Sequence, residues 1–107
     1  MIEIRLYRDE AGKVPFAEWR DSLDGVTRAR ISKMLARLET GNFSNVKNVG
    51  RGVSEVKMDF GPGYRAYFGR DGNAIVVLLG GGTKKRQQHD IEDAQERWLT
   101  YKNRKSM

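Results

Sequence analysis

Between Val53 and His89 the chain alternates apolar and polar positions, then runs apolar without a break, then turns basic. Val56, Met58 and Phe60 fall on one face of an extended segment, and Glu55, Lys57 and Asp59 on the other, because side chains alternate across a strand. After Gly61-Pro62-Gly63, Tyr64, Ala66 and Phe68 alternate with Arg65 and Tyr67, predicting a second strand joined by a tight turn. Ala74 to Leu79 reads AIVVLL, the pattern of a strand covered on both faces. Gly80-Gly81-Gly82-Thr83-Lys84-Lys85-Arg86 then predicts a glycine-led cationic loop. With Lys57 and Arg65 expected to point outward, these strands and the loop form an anion-binding face.

The flanking patterns supply the other elements. Ile2, Ile4 and Leu6 alternate with Glu3, Arg5 and Tyr7, a short half-buried strand, and Asp9 to Lys13 is a turn. Pro15 suits the first turn of a helix, and Phe16, Trp19 and Leu23 recur at helical spacing. Asp24-Gly25 breaks that helix, and a second runs from about Thr27 to Glu39. Its apolar stripe is Ile31, Leu35 and Leu38, with Met34 at the edge, and Gly41-Asn42 ends it. Arg30, Lys33 and Arg37 form a separate basic stripe, by default a solvated face, with nucleic-acid contact as the alternative. Phe43 to Gly52 reads as an Asn- and Gly-rich loop. Ile91, Ala94, Trp98 and Tyr101 predict a last helix over roughly Gln88 to Lys102, with a fraying tail to Met107. The order is strand, two helices, three strands, helix: a single α+β domain over residues 1–107.

Composition narrows the classes of function. The 107 residues contain no cysteine, which excludes disulfides and thiolate chemistry. The charged, alternating start is wrong for a signal peptide, and no apolar run approaches the ~20 residues of a membrane span. A cytoplasmic location is expected. The net charge is +6, and from Lys47 to His89 eight basic residues stand against three acidic ones. That concentration favours a polyanionic partner, nucleic acid or acidic protein, with a solubilising surface as the equal alternative.

Familiar catalytic arrangements are missing. One histidine and no cysteine make a zinc site improbable, and no serine sits in a nucleophile elbow. The glycine run lacks the GxxxxGK[ST] spacing of a phosphate loop. No metal and no cofactor are expected. What remains is a site built from cations. Cutting RNA without metal requires deprotonating a 2′-hydroxyl, neutralising the phosphorane and protonating the leaving oxygen. Arg and Lys stabilise that charge, and Lys, His or Glu move protons. Lys57, Arg65, Lys84, Lys85, Arg86 and His89 supply these groups.

The sequence resembles the RelE/ParE-type toxins of type II toxin–antitoxin modules, closest to the HigB-like, phage-related "addiction module killer" branch. The resemblance covers nearly the whole chain. It is carried by Phe16-Ala17-Glu18-Trp19 with Leu23-Asp24, by Arg28 to Ile31 with Gly41-Asn42, and by Gly52 to Val56. Its most specific part is Phe60 to Phe68, followed by Leu78 to Thr83 and Asp90-Ile91 with Ala94.

That resemblance implies a RelE-like α+β domain, two helices on a small, twisted, mainly antiparallel sheet, with a C-terminal helix. It implies an antitoxin partner of helix-turn-helix, HigA-like type. It also implies cleavage of messenger RNA on the ribosome without metal or cofactor, and hence inhibited translation. Lys57 matches a proton-transfer position of the pattern, whereas Glu55 stands where another lysine would be. Arg65 matches the Gly-Tyr-Arg arginine, Arg86 (or Lys85) the basic residue after the last strand, and His89 a group near the end of this region. Arg65 and Arg86 would neutralise the phosphorane, and Lys57 with Glu55 or His89 would move protons. Glu55 could equally pair with Lys57 or Arg65, or be structural. Arg30, Lys33, Arg37, Lys47 and Arg51, with Lys84 and Lys85, would grip RNA. The ParE side of the superfamily shares the fold but inhibits DNA gyrase, and an attenuated member would only bind antitoxin or nucleic acid.

Overall fold

The computed structural model describes residues 1–106. Five strands form one mixed sheet in the order β1-β5-β4-β3-β2. The strands are β1 (Glu3–Leu6), β2 (Val46–Gly50), β3 (Val53–Lys57), β4 (Arg65–Asp71) and β5 (Ile75–Gly82). β1 runs parallel to β5, and the other pairs are antiparallel. Helices α1 (Pro15–Asp21) and α2 (Gly25–Glu39) precede β2, and α3 (Gln87–Ser106) ends the chain after a short 3-10 turn at Lys84–Arg86.

The two N-terminal helices cover one face of the sheet and α3 the other. On the first face Phe16, Ile31, Met34 and Leu38 pack against Val56, Met58, Ala66, Phe68, Val76 and Leu78. On the second, Ala94 and Trp98 meet Tyr7, Val53, Tyr67, Val77 and Leu79. Val76 to Leu79 therefore feed both cores, as the unbroken AIVVLL run requires. Local signals set the helix ends. Pro15 starts α1 at a position whose N–H would be unpaired anyway. The Asp24 carboxylate caps α2 by accepting from Thr27 N at 2.8 Å, and the Thr27 hydroxyl together with that backbone bond holds it below the usual carboxylate range.

Three expectations need correction. Residues 46–50 are a strand rather than loop, hydrogen-bonded to β3 with a register shift between Asn48 and Gly50. Val46 and Val49 stand three positions apart, on opposite faces of the strand, so one packs on each core. Second, Gly80 to Gly82 still belong to β5, and the basic loop begins only at Thr83. Third, Lys102 to Ser106 remain helical instead of fraying, held by Arg104 Nη1 donating to Arg8 O (2.7 Å) and Lys105 Nζ to Asp71 (2.7 Å). Met107 lies outside the described residues. Among those described, no helix is long and apolar enough to cross a membrane.

Candidate functional site

The strand ends gather the charged residues. Register places Lys57 opposite Arg65 and Arg65 opposite Gly82, so one line across β3, β4 and β5 leads to the basic loop. The β3–β4 turn closes onto that loop: Lys84 N donates to Pro62 O at 3.4 Å, and Arg65 Nη1 to Gly63 O at 2.8 Å. Gly63 has a φ of 75°, and a Cβ there would meet both Arg65 Nη1 and Lys84 Cβ, so the contact depends on glycine. Lys84, Lys85 and Arg86 stand exposed above it.

Arg65 is not outward-facing as expected, because α3 covers that face of the sheet. It is 6% exposed and Glu55 3%. Arg65 Nε lies 3.2 Å from Glu55 Oε1, an ion pair without hydrogen-bond alignment. Glu55 also accepts from Gln87 Nε2 at 2.8 Å and lies 4.0 Å from Lys47 Nζ. Of the alternatives open to Glu55, the geometry realises the pairing with Arg65. Across the β3–β4 pair sits Tyr67, fully buried, its hydroxyl without a hydrogen-bond partner. Burial pushes its phenol well above the ordinary value, and the charges of Glu55 and Asp90 add to that.

The glycine run earns its composition by close approach. A Cβ on Gly81 would lie inside the Trp19 ring, one on Gly80 would meet Arg97 Nη1, and one on Gly82 the Asp90 carboxylate. Strand alternation thus presents Gly81 to α1, and Gly80 and Gly82 to α3. Asp90, lodged against Gly82, has its carboxyl pushed up by burial, opposed by Arg86, His89 and Arg97.

His89 is exposed on the first turn of α3. Arg86 Nη2 is 3.0 Å from its Nδ1, and Asp93 Oδ2 is 3.3 Å from the same nitrogen. An arginine N–H needs an unprotonated Nδ1, and a carboxylate needs Nδ1–H, so the two contacts belong to different proton states. His89, Asp90 and Asp93 offer metal-ligand atoms within 4.8 Å of one another. The Arg86 guanidinium beside them places positive charge where a cation would have to sit.

Lys57 is exposed, makes no ion pair among the described residues, and borders a different feature. This is a groove of about 260 Å³ between α2 and the β2–β3 side of the sheet, walled by Arg30, Lys33 and Arg37. Arg51 sits exposed at the β2–β3 hairpin tip with φ 55°, between two glycines that also have positive φ.

The predicted residues therefore divide. Arg65, Lys84, Lys85, Arg86 and His89 gather round the turn and loop, with Glu55 beneath. Lys57, Arg30, Lys33 and Arg37 lie along the groove, while Lys47 and Arg51 lie on the β2–β3 hairpin. Gln87, Tyr67 and Asp90 were not among the predicted site residues. Three consecutive glycines before a helix were the available signal, since such a run marks side chains or backbone pressing on a strand.

No family model matches the sequence. A Haemophilus influenzae (strain Rd) protein described as "Uncharacterized protein" is 38% identical over 80 residues, covering 74% of this chain and 81% of its own length. The chain belongs to the family of that Haemophilus protein.

Proposed function

We propose that this chain is the toxin of a type II toxin–antitoxin pair with a RelE-like domain, and that it cuts messenger RNA on the ribosome without metal or cofactor. The observation that carries the reading is the closure of the Gly61–Gly63 turn onto Lys84–Arg86, with His89 in contact with Arg86. It concentrates exposed cations and one imidazole where a phosphodiester can reach both. In the reaction a base takes the 2′-hydroxyl proton, the 2′-oxygen bonds to phosphorus, the bond to the 5′-oxygen breaks, and that oxygen accepts a proton. His89 is the exposed group able to move a proton, and Lys84, Lys85 and Arg86 meet the phosphorane charge. Arg65 acts from beneath, bracing the turn through Gly63 O, and Glu55 holds Arg65 rather than serving as the base. The antitoxin, of helix-turn-helix type, would cover this surface.

The engagement of Glu55 favours a second reading, a ParE-like inhibitor of DNA gyrase, which needs no acid–base pair. A binding-only member is the third. Single-turnover cleavage on programmed ribosomes separates them. His89→Gln should slow cleavage by ~10²-fold or more, the usual scale for an acid–base group. Absence of any cut by the wild-type chain would refute the nuclease.

A further inference from the structure

The groove beside α2 has an apolar floor and an amide-bearing rim that the cleavage reading does not use. Its floor is apolar: Met34, Leu38, Val56 and Met58, all buried. One wall is a ladder of cations at Arg30, Lys33 and Arg37, spaced three and four residues apart on α2. None of the three, nor Lys57 at the groove's border, has an acidic partner among the described residues. The Arg30 guanidinium is held 4.5 Å above the Phe60 ring, so its charge is already placed. Asn42, Ser44 and Asn45 bring amide and hydroxyl groups, and Asp59 brings one acceptor.

Size decides what fits. At about 260 Å³ the groove lies just under the ~300 Å³ at which small-ligand pockets begin. One turn of helix, ~10 Å across and ~5.4 Å long, fills roughly 420 Å³, so a docked helix would seat only side chains. A planar base over the methionines, with its phosphate on the cation ladder, uses floor, wall and amides together. The ladder from Arg30 to Arg37 spans about 10 Å of helix, longer than one phosphate group needs.

We propose that this groove is a binding site for a nucleoside monophosphate unit, its base between α2 and β3 and its phosphate on Lys33 and Arg37. Asp59 selects a base with an exocyclic amino group, because a carboxylate accepts from cytosine N4 and has no such donor on uracil. The site goes beyond the proposed cleavage and stands without it. The unit comes either as a free nucleotide or as an unpaired base within single-stranded RNA.

The test is an amide-resolved NMR titration of the whole chain with CMP, UMP and a short single-stranded oligocytidylate. CMP should move amides of α2, of residues 42–45 and of residues 57–60, saturably, and more tightly than UMP. A tighter oligonucleotide identifies RNA as the source, and equal affinity a free nucleotide. The exposed double variant Lys33→Ala/Arg37→Ala should weaken binding at least tenfold, whereas Lys13→Ala/Lys102→Ala should change it less than twofold. Shifts confined to residues 84–89, no saturation at millimolar CMP, or indifference to the Lys33/Arg37 pair would overturn the site. Equal affinity for UMP would overturn the role of Asp59. A chain that cuts mRNA but fails this titration loses the groove site alone, and one that binds but cuts nothing loses the nuclease alone.

Discussion

Truncating Arg65 should cost the fold far more than its surface charge suggests. Arg65→Ala leaves Glu55, 3% exposed, with its carboxylate in the interior and only Gln87 and the distant Lys47 amine beside it. It also removes the donor to Gly63 O. Removing one partner of a buried ion pair costs ~3–5 kcal/mol, because the other charge remains desolvated. A domain of this size holds only about 5–15 kcal/mol in total. The variant should therefore fall to the edge of stability, and loss of activity alone would say nothing about chemistry. Urea unfolding followed by circular dichroism gives the number, and Lys57→Ala, an exposed change, should stay within about 0.5 kcal/mol. In the double variant Arg65→Met/Glu55→Gln, at least ~2 kcal/mol should return, since no charge is left unpaired. A loss below ~1 kcal/mol for Arg65→Ala, or strict additivity in the double, would refute the buried-pair account.

Other expectations are simpler. Tyr67→Phe removes a buried hydroxyl that has no partner, so urea unfolding should show no loss, or a gain of up to about 1 kcal/mol. Gly81→Ala drives a methyl into the Trp19 ring and should cost ~1–3 kcal/mol in the same assay. Burial raises the Asp90 pKa in the folded state, so its contribution is favourable below its unfolded pKa and is lost as pH rises through the folded value. Asp90→Asn should accordingly raise the melting temperature at pH 7 and lose that gain on acidification below the usual carboxylate range. An Asp90→Asn gain independent of pH would refute the desolvation argument.

The sequence disclosed the elements whose side chains keep one period. Val56, Met58, Phe60, Ala66 and Phe68 fell on the predicted face, and the α2 stripe of Ile31, Leu35 and Leu38 was correct with Met34 fully inside. β2 was hidden because Val46 and Val49 each serve a different core among Lys, Asn and Gly, so neither face of the strand repeats an apolar residue. The site was legible in residue type but not in exposure. Alternation placed Glu55 and Arg65 correctly off the first core, yet it cannot tell a face open to water from one covered by a helix that comes later in the chain. That covering by α3 buries the pair, and it also brings Gln87 and Asp90 to the strand ends.

The central claim is that the turn, the basic loop and His89 form an RNA-cutting surface. The most direct test is to induce the chain in growing bacteria and map new RNA ends and gyrase-linked DNA breaks in the same culture. The account predicts cuts within the translated codons of messenger RNA, lost in the His89→Gln and Lys84→Ala/Lys85→Ala/Arg86→Ala variants, with DNA intact. Uncut messenger RNA, with or without gyrase-linked breaks, would contradict it.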